Sequence, residues 1–220
     1  MRISEDRGGK PPVAAWAGRE PAILAVLAAA ALVASGLDPR DRLTWLLEVS
    51  WVLVGIPTLV LTRRRFPLTP LLYRLLFLHA LVLILGGHYT YEHVPLGEWA
   101  QAMFGFQRNP YDRFGHFVQG FVPAILAREI LLRCSPLRRG GWLFLLVVAV
   151  CLAFSAFFEM IEWWAALAYG AAADAFLATQ GDPWDTQWDM FLAMVGSICS
   201  QALLSSHHDG QLKPLGPRAS

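Results

Sequence analysis

Apolar residues in this chain come in long unbroken runs, not in the alternations of a half-buried sheet or the one-sided stripes of a soluble helix. Runs of about 20 such residues match the length of helix that crosses a bilayer core. They predict about six spans, near 21–37, 43–62, 70–90, 114–134, 142–168 and 187–206. The fold expected is therefore all-α: a polytopic transmembrane helical bundle forming one domain over 19–206. The tails at 1–18 and 207–220, rich in Gly, Pro and charge, are expected to be flexible. The fifth run is long for a simple span and predicts a projecting or tilted end. The loop at 91–112 carries Trp99, Phe104, Phe106 and Tyr111, enough to lie on the membrane surface as a partial lid. The first run, "PAILAVLAAAALVASGL", has the look of a signal peptide. The long segment before it, with Glu5, Asp6 and Glu20, favours a retained first helix, because a signal peptide needs a short positive leader.

The polar residues between the runs orient the bundle. Arg2, Arg7, Lys10 and Arg19 precede the first span. Arg63, Arg64 and Arg65 join the second to the third, Arg133, Arg138 and Arg139 the fourth to the fifth, and Lys213 and Arg218 follow the last. The other side holds Arg40, Arg42, Arg108 and Arg113, and the connection between the fifth and sixth spans has no Lys or Arg. The positive-inside rule puts both termini in the cytoplasm, as an even number of spans requires. Composition agrees with a membrane solvent: 55% of residues are hydrophobic and 16% charged, against about a quarter charged in soluble domains. A net charge of +1 with no basic groove gives no case for nucleic acid. Cys134, Cys151 and Cys199 are odd in number and sit within or beside apolar runs, so they read as packing residues and not as a disulfide framework.

With that orientation, ionisable residues from five spans fall at one level, near the outer face. Glu48 lies in the outer third of the second span and His88 at the outer end of the third. Asp112 and His116 open the fourth, and Asp185 and Asp189 open the sixth. Glu159 and Glu162 come roughly 25–30 Å along the fifth helix from Trp142, at about 1.5 Å per residue. In "YDRFGHFVQGF", Asp112 and His116 are four apart and share a helix face, with Gln119 a further three along. This suits a histidine oriented by a carboxylate or a pair of metal ligands; an acid in a first helical turn also simply meets the helix dipole. In "FFEMIEWW", Glu159 and Glu162 are three apart among aromatic residues. A carboxylate at the centre of a span costs about 2.5–3.5 kcal/mol on insertion scales, so such acids need partners, protons or water. Acid–base or proton-relay chemistry suits them, as does an interfacial position beside an aromatic belt.

In "QGDPWDTQWDM", Asp182, Asp185, Gln187 and Asp189 crowd the start of the last span. Pro183 fits a helix start, and Trp184 and Trp188 fit interface anchors. The dipole accounts for one acid but not for Asp189, a turn deeper and facing the small residues Ala193, Gly196 and Ser197. The candidate acid–base residues are therefore Asp112, His116, Glu159, Glu162 and Asp189. Candidate metal ligands are His88, His116, Asp185 and Asp189, and Gln119, Asp182 and Gln187 are supporting polar groups. A mixed His/carboxylate set suits zinc, manganese or iron better than copper(I). No HExxH, CxxC pair, GxSxG or Walker A pattern is present. His79, flanked by Leu78 and Ala80, reads as a hydrogen bonder between helices.

Taken together, "GHYTY", "YDRFGHFVQGFVPAILARE", "FFEMIEWW" and "QGDPWDTQWDM" resemble the YjdF-like family of bacterial inner-membrane proteins, over most of the chain from the second span to the sixth. A weaker likeness is to the VanZ-like membrane proteins. Asp112 with His116–Phe117, then Glu159, then Asp189 with Gly196 follow their pattern, while Glu162 stands where that pattern has Gln and Ala193 where it has Asn. The resemblance implies a fold, an inner-membrane location and a site, but no reaction. The leading expectation is a membrane-embedded enzyme or envelope-modifying protein acting on a lipid-linked or amphiphilic substrate at the outer leaflet, with a divalent metal such as zinc or manganese as its candidate cofactor. A proton-coupled transporter and a non-catalytic scaffold among membrane lipids are the alternatives. A transporter calls for polar groups through the full depth, and the inner half offers only Arg74, Arg128 and Glu129, which are long enough to snorkel.

Overall fold

The computed structural model describes residues 18–213. Within them the chain is helical: α1 (Arg19–Leu37), α2 (Arg42–Glu48), α3 (Ser50–Thr62), α4 (Pro70–Tyr89), α5 (Pro95–Phe104), α6 (Tyr111–Cys134), α7 (Gly141–Tyr169), a 3-10 turn (Gly170–Ala173), α8 (Asp174–Leu177) and α9 (Asp185–Leu212). Local chemistry sets several of the starts. The Asp41 carboxylate accepts the Thr44 amide at 2.7 Å and caps α2. Thr69 caps α4, whose first residue is Pro70. The second span is bent: α2 ends at Glu48, and α3 restarts after Val49.

Five segments are long and apolar enough to cross a membrane: Arg19–Leu37, Arg42–Thr62, Pro70–Tyr89, Gly141–Leu177 and Asp185–Leu212. The fourth of the six expected spans is the exception. Its helix, α6, has 24 residues but carries Asp112, Arg113, Arg128, Glu129 and Arg133. Placement explains the composition, because α6 packs against α4, α7 and α9 and buries Asp112, His116, Arg128 and Glu129 inside the bundle. Apolar side chains take the outside instead, Val26, Val33, Leu61, Trp142, Leu167 and Leu203 among them. Polar inside and apolar outside is the arrangement lipid selects.

The close pair in the bundle is α6 with α9. A Cβ on Gly120 would run into the backbone of Ala193, and one on Gly196 into the backbone of Phe117 and Phe121. Backbones approach this closely only where side chains are missing, as the run of small residues in α9 predicts. Two boundaries differ from expectation. The last helix does not stop at 206 but continues to Leu212, because His208 and Leu212 are buried against the bundle. The loop at 91–112 is partly helical, with α5 exposing Leu96, Trp99 and Met103 on one face. The tail expected over 1–18 lies outside the described residues apart from Gly18, as do residues 214–220 of the C-terminal tail.

Candidate functional site

Three helices bring the expected acid–base residues to one point. Asp112 and His116 come from α6, Glu159 and Glu162 from α7, and Asp189 from α9. His116 Nε2 lies 3.6 Å from Asp112 and 3.9 Å from Asp189, and its Nδ1 lies 4.0 Å from Glu159. These separations exceed hydrogen-bond length, so the groups face one another across gaps. Ligand atoms of Asp112, His116 and Asp189 all fall within 4.8 Å of one another, as do those of His116, Glu159 and Glu162. His116, Asp112, Glu159 and Asp189 are at most 8% exposed. His116 Nδ1, one oxygen of Glu159 and one of Asp189 are buried with no hydrogen-bond partner. Buried polar atoms are nearly always paired, so three orphans within one cluster call for an explanation.

A second layer of ion pairs closes the site at the loop end, and it explains the crowd of acids before α9. Asp182 pairs with Arg113 at 2.6 Å, and Asp185 pairs with Arg108. Arg108 also holds Asp112 at 3.0 Å and donates to the Ala178 carbonyl at 3.1 Å. Burial works against the Arg108 charge, yet the bond to Asp185 and the fields of Asp185, Asp112 and Asp189 hold the guanidinium above its ordinary value. Arg113 lies over the Trp188 ring, 5.1 Å from its centre. Asn109 and Gln180 tie the two loops together: the Asn109 amide donates to the Gln180 side chain at 2.9 Å, and Gln180 donates back to the Asn109 carbonyl at 3.1 Å. Of the acids in that stretch, Asp189 alone points past this layer into the centre.

Several expected participants are placed elsewhere. His88 is no partner of His116: its Nδ1 meets the Ser35 carbonyl at 2.8 Å, tying α4 to α1. It turns to α1 because it sits at the end of α4 where that helix packs on α1. Asp185 is taken up by Arg108 and so is a clamp rather than a free ligand. Asp182 serves the loop, pairing with Arg113 and accepting the Trp184 amide at 2.9 Å. Gln187 is exposed, on the face of α9 turned away from the bundle. Gln119 is half-buried and lines a cavity that also reaches His116. His79 bonds no other helix; its Nε2 is buried and unpartnered in the wall of the same cavity.

Three contributors are not among the candidate site residues, although the sequence sets Glu48 at their depth. Glu48, 5% exposed, sits close enough to Asp112 and His116 to feel both charges. Tyr91 stands beside Glu48 and wedges its ring where Gly86 and Gly115 leave room. Burial holds the Tyr91 phenol well above its usual range, so it stays a donor. Arg108 stands four residues before Asp112, a spacing visible in the sequence but used there only for topology.

The other end of the α6–α9 pair holds a second buried centre. The Glu129 carboxylate accepts the Thr69 hydroxyl at 2.8 Å, Arg133 at 2.6 Å and His208 Nε2 at 3.0 Å. Arg128 meets His208 Nδ1 at 3.0 Å and Asp209 at 2.7 Å. Arg128 and Glu129 therefore do not snorkel; they are inside, and paired. Arg74 pairs with Glu20 on the exposed surface.

Comparison with known proteins agrees with the architecture. The family model described as "Predicted membrane protein (DUF2238)" matches residues 20–210. "Inner membrane protein YjdF" of Escherichia coli (strain K12) is 52% identical over 185 residues, covering 84% of this chain and 88% of that protein. No solved structure matches. Neither match names a VanZ-like protein.

Proposed function

The chain belongs to the DUF2238 family of predicted membrane proteins and is a multi-pass protein of the inner membrane; from that premise we propose that it is a membrane-embedded enzyme of the cell envelope, acting on an amphiphilic or lipid-linked substrate at the outer leaflet. In this reading the Nδ1 side of His116 does the acid–base work, trading protons with Glu159 and Glu162, while its Nε2 side faces Asp112 and Asp189. Asp112, His116 and Asp189 would hold a divalent cation such as zinc or manganese. Two ligand atoms on one zinc ion stand roughly 3.4 Å apart, and the gaps of 3.6 and 3.9 Å from His116 to Asp112 and Asp189 are near that. Such an ion would polarise a phosphoryl or carbonyl oxygen or activate water. The observation that carries the reading is that His116, Glu159 and Asp189, buried beside one another, each keep one polar atom without a partner.

Two measurements test it. Purified protein is assayed for bound metal beside the Asp112→Ala/His116→Ala double variant; stoichiometric zinc or manganese in the first and none in the second is the expected result. Lipid extracts of cells lacking the chain are compared by mass spectrometry after complementation. A lipid species that accumulates without the chain should be cleared by wild type and not by alanine variants of Asp112, His116, Glu159 or Asp189. Clearance by two or more of these folded variants rejects the site.

A transporter gains support from one observation, the buried Glu129–His208 centre at the far end of the same helices. Its groups are all committed to one another, so proton movement there requires breaking the network. Substrate-dependent proton flux in proteoliposomes is the result that would favour transport over catalysis.

A further inference from the structure

The His116 centre is not sealed on every side. A cavity of about 880 Å³ runs between α1, α3, α4 and α6, from Glu48, Asp112, His116 and Glu162 at one end to Pro21, Arg63 and Arg64 at the other. From Glu48 to Arg63 is fifteen residues, roughly 22 Å at helical rise. That exceeds one leaflet's half of a hydrocarbon core about 30 Å thick. Small residues make the space: Ala22, Ala25 and Ala29 line the α1 wall, and Gly55 lines the α3 wall, where an added Cβ would meet nothing within 4 Å. Between the two ends the wall is aliphatic and aromatic apart from Gln119 and the unpartnered His79.

We infer that this groove holds one acyl chain of a phospholipid from the surrounding bilayer, drawn out straight, with the lipid's polar end at the His116 centre. The inference rests on the proposed role of that centre and adds the substrate class. Three features fit the occupant. The groove is mostly apolar along its length, with acids and an imidazole at its outer end to meet a polar headgroup. It is longer than one leaflet is deep, so it takes a whole tail and not a short side chain. It is bounded by α1 and α3, whose outer faces carry Leu27, Leu53 and Val54 into lipid, so a tail enters sideways from the bilayer without crossing water. A chain held there brings its headgroup and ester linkage to the acids and imidazole, the part of a lipid on which acid–base chemistry acts.

The test uses full-length protein in vesicles of phosphatidylethanolamine and phosphatidylglycerol, in which a fraction of the lipid carries a diazirine at the far end of one acyl chain. After illumination, adducts are mapped by peptide mass spectrometry. Adducts are expected on groove residues near the Arg63 end, Leu24, Ala25 and Leu59. Gly55→Trp and Ala25→Phe fill the groove from opposite walls, and each should lower groove adducts about tenfold or more. Leu53→Trp, which adds the same bulk on the lipid side of α3, should leave them unchanged. Adducts confined to lipid-facing residues such as Leu27 and Leu61, or groove adducts that persist in both filled variants, overturn the inference. His116→Ala separates it from the parent reading, because that variant should keep the groove adducts while losing lipid turnover. Groove adducts absent from wild type, with turnover still dependent on His116, would remove the groove and leave the centre. Groove adducts present, with turnover indifferent to His116, would do the reverse.

Discussion

Helices α6 and α9 carry a buried histidine among carboxylates at each end of their contact, and the two ends are built on opposite principles. Around Glu129 and His208 the polar groups are matched: Glu129 accepts from Thr69, Arg133 and His208, and His208 in turn meets Arg128. Around His116 the neighbours stand 3.6 to 4.0 Å away, and three polar atoms have no partner. Both ends are buried. A charge withdrawn from water is tolerated when its bonds are complete, so the first arrangement is self-sufficient and needs no ligand. The second leaves bonds unmade, and that difference is what supports reading it as the functional site. Burial of acids alone does not tell the two ends apart; the fraction of their bonds already made does.

The largest effect expected from breaking this contrast is at the matched end. Glu129→Ala leaves His208, Arg133 and the Thr69 hydroxyl without their shared acceptor. Loss of one partner from a buried, paired network costs about 3–5 kcal/mol. The variant should unfold at markedly lower temperature in detergent and accumulate poorly in membranes, whatever happens at the His116 centre. Next comes the crossing between the two ends. Gly196→Val pushes a branched side chain into the backbone of Phe117 and Phe121. Overpacking of this kind costs about 1–3 kcal/mol or more, and here it also spreads Asp189 from His116. Thermal unfolding together with metal content reads both consequences in one preparation.

That crossing shows how much was legible beforehand. Gly196 beside Ala193 and Ser197 announced a close helix contact, and the runs of apolar residues announced the helices to within a few positions. Shared depth announced Asp112, His116, Glu159 and Asp189 as neighbours, because lipid makes any acid at that level seek company. The misassignments have one cause: side-chain direction. His88 and Asp185 lie at the right depth, but the rotation of α4 turns the first to Ser35, and Arg108 captures the second. Glu48 required the bend at Val49 to be known. The Glu129 centre was hidden because Arg128 and Glu129 look like snorkelling residues near a helix end. Their burial depends on α9 continuing to Leu212, which the polar sequence "SSHHDG" conceals.

At the unmatched end, effects on stability should be small and effects on function complete. Asp189→Asn and Glu159→Gln remove like charges from a crowded site without changing its shape. Each should leave the unfolding temperature unchanged or slightly raised, within about 1 kcal/mol, since no complete hydrogen bond is lost. Each should also abolish bound metal or lipid turnover. A drop in stability as large as that of Glu129→Ala would mean that the His116 centre is a strut after all, and the contrast between the two ends would vanish.

The smallest effect expected lies between the two ends. His79 Nε2 faces the groove with no partner, and a buried donor or acceptor left unmade costs about 1–3 kcal/mol. Its ring is partly relieved by the open space beside it, so the gain on removing it should fall at the bottom of that range. His79→Leu, similar in size and apolar, is expected to raise the unfolding temperature modestly while leaving lipid turnover and groove adducts intact. If turnover instead fell as far as it does in His116→Ala, His79 would belong to a polar path running inward from the His116 centre toward Glu129 and His208. The two ends would then be stations of one relay, and proton-coupled transport would replace catalysis as the better account of the molecule.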